Sequence, residues 1–238
     1  VLSWDGTAYA GWQRQPGPPT VQSLLLQEVM RLCGADARAV GASRTDAGVH
    51  ALRQTVSVRT TSALAPDALL RALNASLPRD IRVIDAREAA AEFDARRCAR
   101  GKRYAYVIDN GPVATPLLRR YAWHIRRPLD VPAMRAAVAA LRGQHDFSAF
   151  RAAAGRDAPP VCTVRALHIV RRKQCVAILI SADRYLHHMV RTIVGSAVDI
   201  GRGRHPATWL GEVLRSRDRA MAGMTAPGRG LFLVRVLY

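Results

Sequence analysis

The stretch GASRTDAGVHA, residues 41–51, sets one guanidinium, Arg44, two positions before one carboxylate, Asp46, with the imidazole of His50 four positions further on. The other residues are small or apolar. A carboxylate on such a loop is open to a substrate, and arginines near it hold it ionised, because an opposite charge close by lowers a carboxylate pKa. An ionised aspartate serves as nucleophile or base. The same letters also spell an Asx-type turn, T-D-A-G, with Gly48 supplying a positive φ, and spacing alone favours that plainer account. His50 reads as mainly structural, since a dyad needs a geometry that spacing does not supply.

Two further stretches carry reactive or flat side chains. In KRYAYVI, residues 102–108, Tyr104, Tyr106 and Ile108 fall on one face of a strand, either as core with the hydroxyls satisfied at the sheet edge or as rings on which a base stacks. HHMVR, residues 187–191, opens an amphipathic helix whose Met189, Val190, Ile193, Val194 and Ala197 read as core. Arg191 falls between apolar positions, where a charge is costly unless paired, so a carboxylate partner is expected. His187 and His188 are consecutive and therefore expected to face apart, which argues against both serving one metal ion. No P-loop, dinucleotide-binding, zincin or nucleophile-elbow motif occurs. The carboxylates are scattered, so a two-metal nuclease centre has little support. No cofactor and no metal are expected.

The elements that position these residues follow from periodicity. A strand at 1–4 precedes a helix at 20–32, with Thr20 as N-cap, a stripe of Val21, Leu24, Leu25, Val29 and Leu32, and Gly34 as its stop. Strands near 38–43 and 53–59, a helix from Pro66 and a strand at 81–85 complete a β-α-β-β-α-β order. The second half repeats that plan: a strand at 102–108, a helix from an Asp130 cap to about Leu141, a hairpin around Arg171–Gln174, and a helix closed by Gly201. An extra helix, ATWLGEVLRSR, then precedes the final strand LFLVRVL. The expected fold is α+β: two similar ferredoxin-like β-α-β-β-α-β lobes, residues 1–97 and 98–238, whose antiparallel sheets join.

Composition narrows the partner. The 238 residues hold 36 Lys and Arg against 18 Asp and Glu, a formal charge of +18, and only Lys102 and Lys173 are lysines. A bias toward arginine accounts for Arg over Lys but not for the two-to-one excess of positive charge. That excess favours a polyanion, since each cation that meets a phosphate releases condensed counterions. No apolar run approaches the roughly 18 residues of a membrane span, and no basic amphipathic helix with an aromatic face appears. Cys33, Cys98, Cys162 and Cys175 form no C-x-x-C pair, as suits reduced thiols in a cytoplasm. The opening VLSWDG reads as a strand with no signal peptide before it, as in a chain missing a few leading residues.

Six stretches, GWQRQ (11–15), GASRTDAGVHA (41–51), KRYAY (102–106), GQHDFSAF (143–150), HHMVRTIVG (187–195) and APGRGLFLV (226–234), occur in order across almost the whole chain. Together they resemble the tRNA pseudouridine synthase A family. The resemblance implies isomerisation of uridine to pseudouridine at positions 38–40 in the anticodon stem-loop of tRNA, with no cofactor, by a cytoplasmic homodimer whose two lobes flank a basic central cleft. It puts Asp46 at the place of the family's catalytic aspartate. Arg44 matches a residue implicated in flipping the target base, Tyr104 one that stacks on it, Arg191 one that forms a salt bridge with the aspartate, and Leu231 an apolar residue packed near the base. Three positions depart from the usual pattern: Trp4 where Tyr is common, Tyr185 where Phe is commoner, and Thr192 where Asn is frequent. A non-catalytic RNA-binding module on the same scaffold and a metal-dependent nuclease remain the alternatives. A pure binder has no need of Asp46, Arg44, Tyr104 and Arg191 together.

Overall fold

The computed structural model describes residues 1–152 and 159–238. The fold is mixed α+β with mostly antiparallel strand pairing. The chain divides into two compact units, one of Val1–Arg100 with Phe232–Tyr238 and one of Gly101–Leu231. The division is discontinuous in sequence, because the final strand, placed by sequence in a 98–238 domain, pairs with a strand of the first unit.

In the first unit, β1 (Leu2–Trp4) runs antiparallel to β3 (His50–Gln54) and to β5 (Ile81–Val83). The last strand, β11 (Leu231–Leu237), lies parallel to β3, with Phe232 opposite His50 and Leu233 opposite Ala51. Helix α1 (Val21–Cys33) starts at a capping box in which Thr20 and Ser23 bond each other's backbone, and it stops at Gly34, whose φ is +99°. Its buried stripe is Val21, Leu25, Val29 and Cys33, each large apolar member stabilising by about 1.5–3 kcal/mol when fully buried. Helix α2 (Pro66–Ser76) packs beside α1 and β5. The single strand expected over 53–59 is instead two. The carbonyl of Thr55 accepts from the N–H of Ala42, 3.0 Å away, which takes the chain out of β3. It continues as β4 (Val56–Arg59), paired with β2 (Arg38–Gly41) in a separate two-stranded sheet.

In the second unit, β6 (Gly101–Asp109) pairs antiparallel with β10 (Cys175–Ala182), which forms the expected hairpin with β9 (Val161–Arg172). Strand β8 (Gly143–Asp146) edges β9, and the short β7 (Trp123–His124) runs parallel to β6. Helix α3 (Val131–Val138) is capped by Asp130, whose carboxylate accepts from Ala133 N–H at 2.9 Å. Helix α4 (Met189–Gly201) is buried along almost its whole length, and α5 (Trp209–Ser216) packs near α3. The helix expected to open in HHMVR begins only at Met189, with His188 as its N-cap residue. Among the described residues no helix is long and apolar enough to cross a membrane.

Candidate active site

Asp46 stands on a turn, as the plainer account expects. The carbonyl of Asp46 accepts from Val49 N–H at 3.2 Å, and Gly48 sits at φ +74°, so T-D-A-G is a chain reversal. That turn is fixed from outside. Gly48 N–H donates to Tyr9 O at 3.2 Å, and Trp12 N–H donates to Thr45 O at 3.0 Å. Between those two contacts Gly11, at φ +95°, lies so close that a Cβ there would stand 2.4 Å from Thr45 O and 2.9 Å from the carbonyl carbon of Asp46. Only glycine permits this approach. Tyr9 is held in turn by its hydroxyl, which donates to Asp80 Oδ1.

Burial alternates along the loop: Ser43 and Thr45 are buried, Arg44 is exposed and Asp46 is half-buried. The two-residue spacing therefore sends the guanidinium and the carboxylate outward while their neighbours anchor inward. Gln54, buried on β3, donates through Nε2 to Ser43 O and ties that anchor to the sheet. His50 is a structural residue. It is 1% exposed, its Nδ1 accepts from Gly6 N–H at 3.0 Å, the Asp5 carboxylate lies 3.2 Å from the same nitrogen, and the ring stacks on Phe232 at 4.7 Å.

The second unit carries the other expected residues. Tyr104 and Tyr106 share a face of β6, as alternation requires, and both are buried, Tyr104 at 5% and Tyr106 at 0% exposure. Tyr106 is enclosed by the segment before β11. Its hydroxyl donates to Pro227 O at 2.8 Å, and a Cβ on Gly230 would stand 2.6 Å from its ring carbon Cζ. Burial pushes its phenol pKa far up, against the opposing charges of Arg191 and Arg229. Tyr106 is therefore core. Tyr104 meets Tyr185 edge-on, with centroids 5.0 Å apart and an interplanar angle of 81°. Leu231, 6% exposed, follows directly after Gly230.

Arg191 is half-buried rather than embedded in the apolar stripe. Because α4 starts at Met189, Arg191 lies in its first turn and meets the segment between α5 and β11, where Nε donates to Ala226 O at 2.7 Å and its own carbonyl accepts from Ala226 N–H at 3.0 Å. The histidines correct a second expectation. The rings of His187 and His188 lie 4.0 Å apart, on one side of the chain. His188 adopts φ +64° and ψ 0°, and that left-handed residue cancels the alternation which would send neighbours apart.

The first unit thus brings together Asp46 and Arg44, and the second gathers Tyr106, Arg191 and the 226–231 segment, with Tyr104 and Tyr185 as a ring pair. A half-exposed carboxylate on a turn held at its backbone is suited to act as nucleophile or base without moving. The buried ring contacts of Tyr185 and the glycine approach at Gly11 carry no local sequence signal, since each depends on a segment distant in the chain.

A family model described as tRNA pseudouridine synthase matches residues 2–96 and 137–238. The chain is 44% identical over 239 residues to a tRNA pseudouridine synthase A of Myxococcus xanthus, covering 100% of this chain and 90% of that protein. It is 43% identical over 240 residues to a protein of the same name from Moorella thermoacetica, covering 100% of this chain and 98% of that one. A chain of a solved Cbf5–Nop10–Gar1 complex is similar at 11% identity and a TM-score of 0.38, over 99% of this chain and 57% of that one.

Proposed function

Because the chain belongs to the tRNA pseudouridine synthase family, isomerases that convert uridine to pseudouridine in tRNA, we propose that it modifies positions 38–40 of the anticodon stem-loop with Asp46 as its essential carboxylate. The reaction breaks the N1–C1′ bond, turns the uracil, and joins C5 to C1′. N1 gains a proton and C5 gives one up, so atoms balance with no redox partner. The enzyme's part is to expose the nucleotide and to supply a fixed carboxylate against it. One observation supports this reading above the others: Asp46 is half-exposed on a turn whose hydrogen bonds are made by the backbone of residues 45–49.

Within this proposal Arg44, exposed beside Asp46, helps extrude the target base, and Arg191 supplies the counter-charge that keeps the carboxylate ionised. Tyr104 and Leu231 pack against the base. The enzyme works as a cytoplasmic homodimer. The formal charge of +18 supports a partner read chiefly through its phosphates and shape.

The test compares wild type with Asp46→Asn on unmodified tRNA, with no nucleotide or metal added, followed by mapping of pseudouridine. The variant keeps the turn, which uses its backbone, and is expected to fold and bind tRNA but to form no product. Pseudouridine at a near-wild-type rate from the variant refutes the role of Asp46. A folded wild type that binds tRNA without product returns the protein to the class of RNA-binding modules.

A further inference from the structure

The ring that the proposed function sets against the target base, Tyr104, is only 5% exposed, so it offers little surface to a ligand. Its neighbour Tyr185 is half-exposed. Tyr185 is therefore the more exposed member of the pair. That residue sits in the loop between β10 and α4, and its hydroxyl lies 3.0 Å from Lys102 O on β6 and 3.1 Å from Ile180 O on β10. Lys102 faces Ala182 and Tyr104 faces Ile180 across the two strands, so the hydroxyl is lodged over their seam, at the level of Tyr104. Burial pushes the Tyr185 phenol well above its ordinary pKa, which favours the protonated hydroxyl that donates into this seam. The ring is thus tethered at its hydroxyl end and braced by Tyr104 at 5.0 Å, on a residue that stays partly exposed.

We infer that Tyr185 is a second substrate-binding ring: the target nucleoside packs against Tyr185 as well as Tyr104, and the hydroxyl anchors that ring in place before binding. A ring already immobilised loses little side-chain freedom when a base stacks on it. The tether is particular to a tyrosine, whereas phenylalanine keeps the stacking ring and lacks only the hydroxyl bond to the seam. His187, exposed, and His188 lie on the same loop after Leu186, their rings 4.0 Å apart.

The inference rests on the proposed role of Tyr104, and the test separates the two. Wild type, Tyr185→Leu and Tyr185→Phe are compared for pseudouridine formation on an anticodon stem-loop RNA, with Asp46→Asn as the inactive control. Loss of one base-stacking contact corresponds to about a 5- to 150-fold fall in kcat/KM, expected for Tyr185→Leu, and Tyr185→Phe recovers most of it by restoring the ring. In a second, direct measurement the wild type is bound to the same RNA carrying 5-bromouridine at the target position and irradiated, and the cross-linked peptide is identified by mass spectrometry. A cross-link to Tyr185 supports the contact. Wild-type turnover by a folded Tyr185→Leu, equal losses in Leu and Phe, or cross-links confined to other residues overturns it. A wild type that forms no pseudouridine instead fails the proposed function itself.

Discussion

Gly11 is the sharpest test of how the carboxylate is held. Alanine at this position meets two separate obstacles. Its φ of +95° is one that L-residues avoid, at about 1–2 kcal/mol. The added Cβ would also stand 2.4 Å from Thr45 O, a backbone atom with no flexible end to swing aside. Reaching an ordinary contact of 3.4 Å needs a separation of about 1 Å, 3.4 less 2.4. That movement stretches the 3.0 Å bond from Trp12 N–H to Thr45 O beyond hydrogen-bonding range, which costs about 0.5–1.5 kcal/mol more. The expected loss of stability for Gly11→Ala is about 1.5–3.5 kcal/mol. A catalytic group displaced by about 1 Å loses on the order of 100-fold in rate. Gly17 supplies the control: its φ is +94°, yet nothing lies within 4 Å of the position its Cβ would take. Gly17→Ala therefore bears the backbone strain alone, about 1–2 kcal/mol, with an unchanged rate. Urea unfolding of both variants, with single-turnover pseudouridine formation at a temperature where both are folded, reads the difference. Equal stability and equal rates in the two variants would falsify the close approach of Gly11 to the Asp46 turn.

Two predictions concern the tyrosines. Tyr106→Phe leaves the ring against Gly230 but removes the donor to Pro227 O, so the urea midpoint is expected to fall by the equivalent of about 1 kcal/mol, and an unchanged midpoint removes that bond from the account. Tyr9, Tyr106 and Tyr185 all have phenol pKa values raised by burial, so the unfolded chain releases these protons first, near pH ~10. Their contribution to stability is complete below that pH and is lost as pH climbs toward the folded values. Unfolding free energies measured from pH 8 to 11 should decline at the alkaline end, with the phenolate absorbance appearing on unfolding; a flat profile contradicts the buried phenols.

Local pattern determined a good deal of this molecule. Thr20 and Gly34 bound α1 because a cap and a stop act within a few residues, and the β9–β10 hairpin closes where alternation breaks at Arg171–Gln174. The Asp46 turn was legible for the same reason, and the motif around it marked the carboxylate. What lay beyond sequence is what depends on a distant partner. The division of residues 50–59 into two strands follows from Thr55 O meeting Ala42, and the final strand's place in the first unit follows from its pairing with His50 and Ala51. One backbone torsion at His188 brought together two rings that consecutive numbering placed apart. The burial of Tyr104 and the anchoring of Tyr185 over the β6–β10 seam are set by segments some 80 residues apart in the chain. Periodicity says which face a side chain takes; only the packed structure says what stands opposite it.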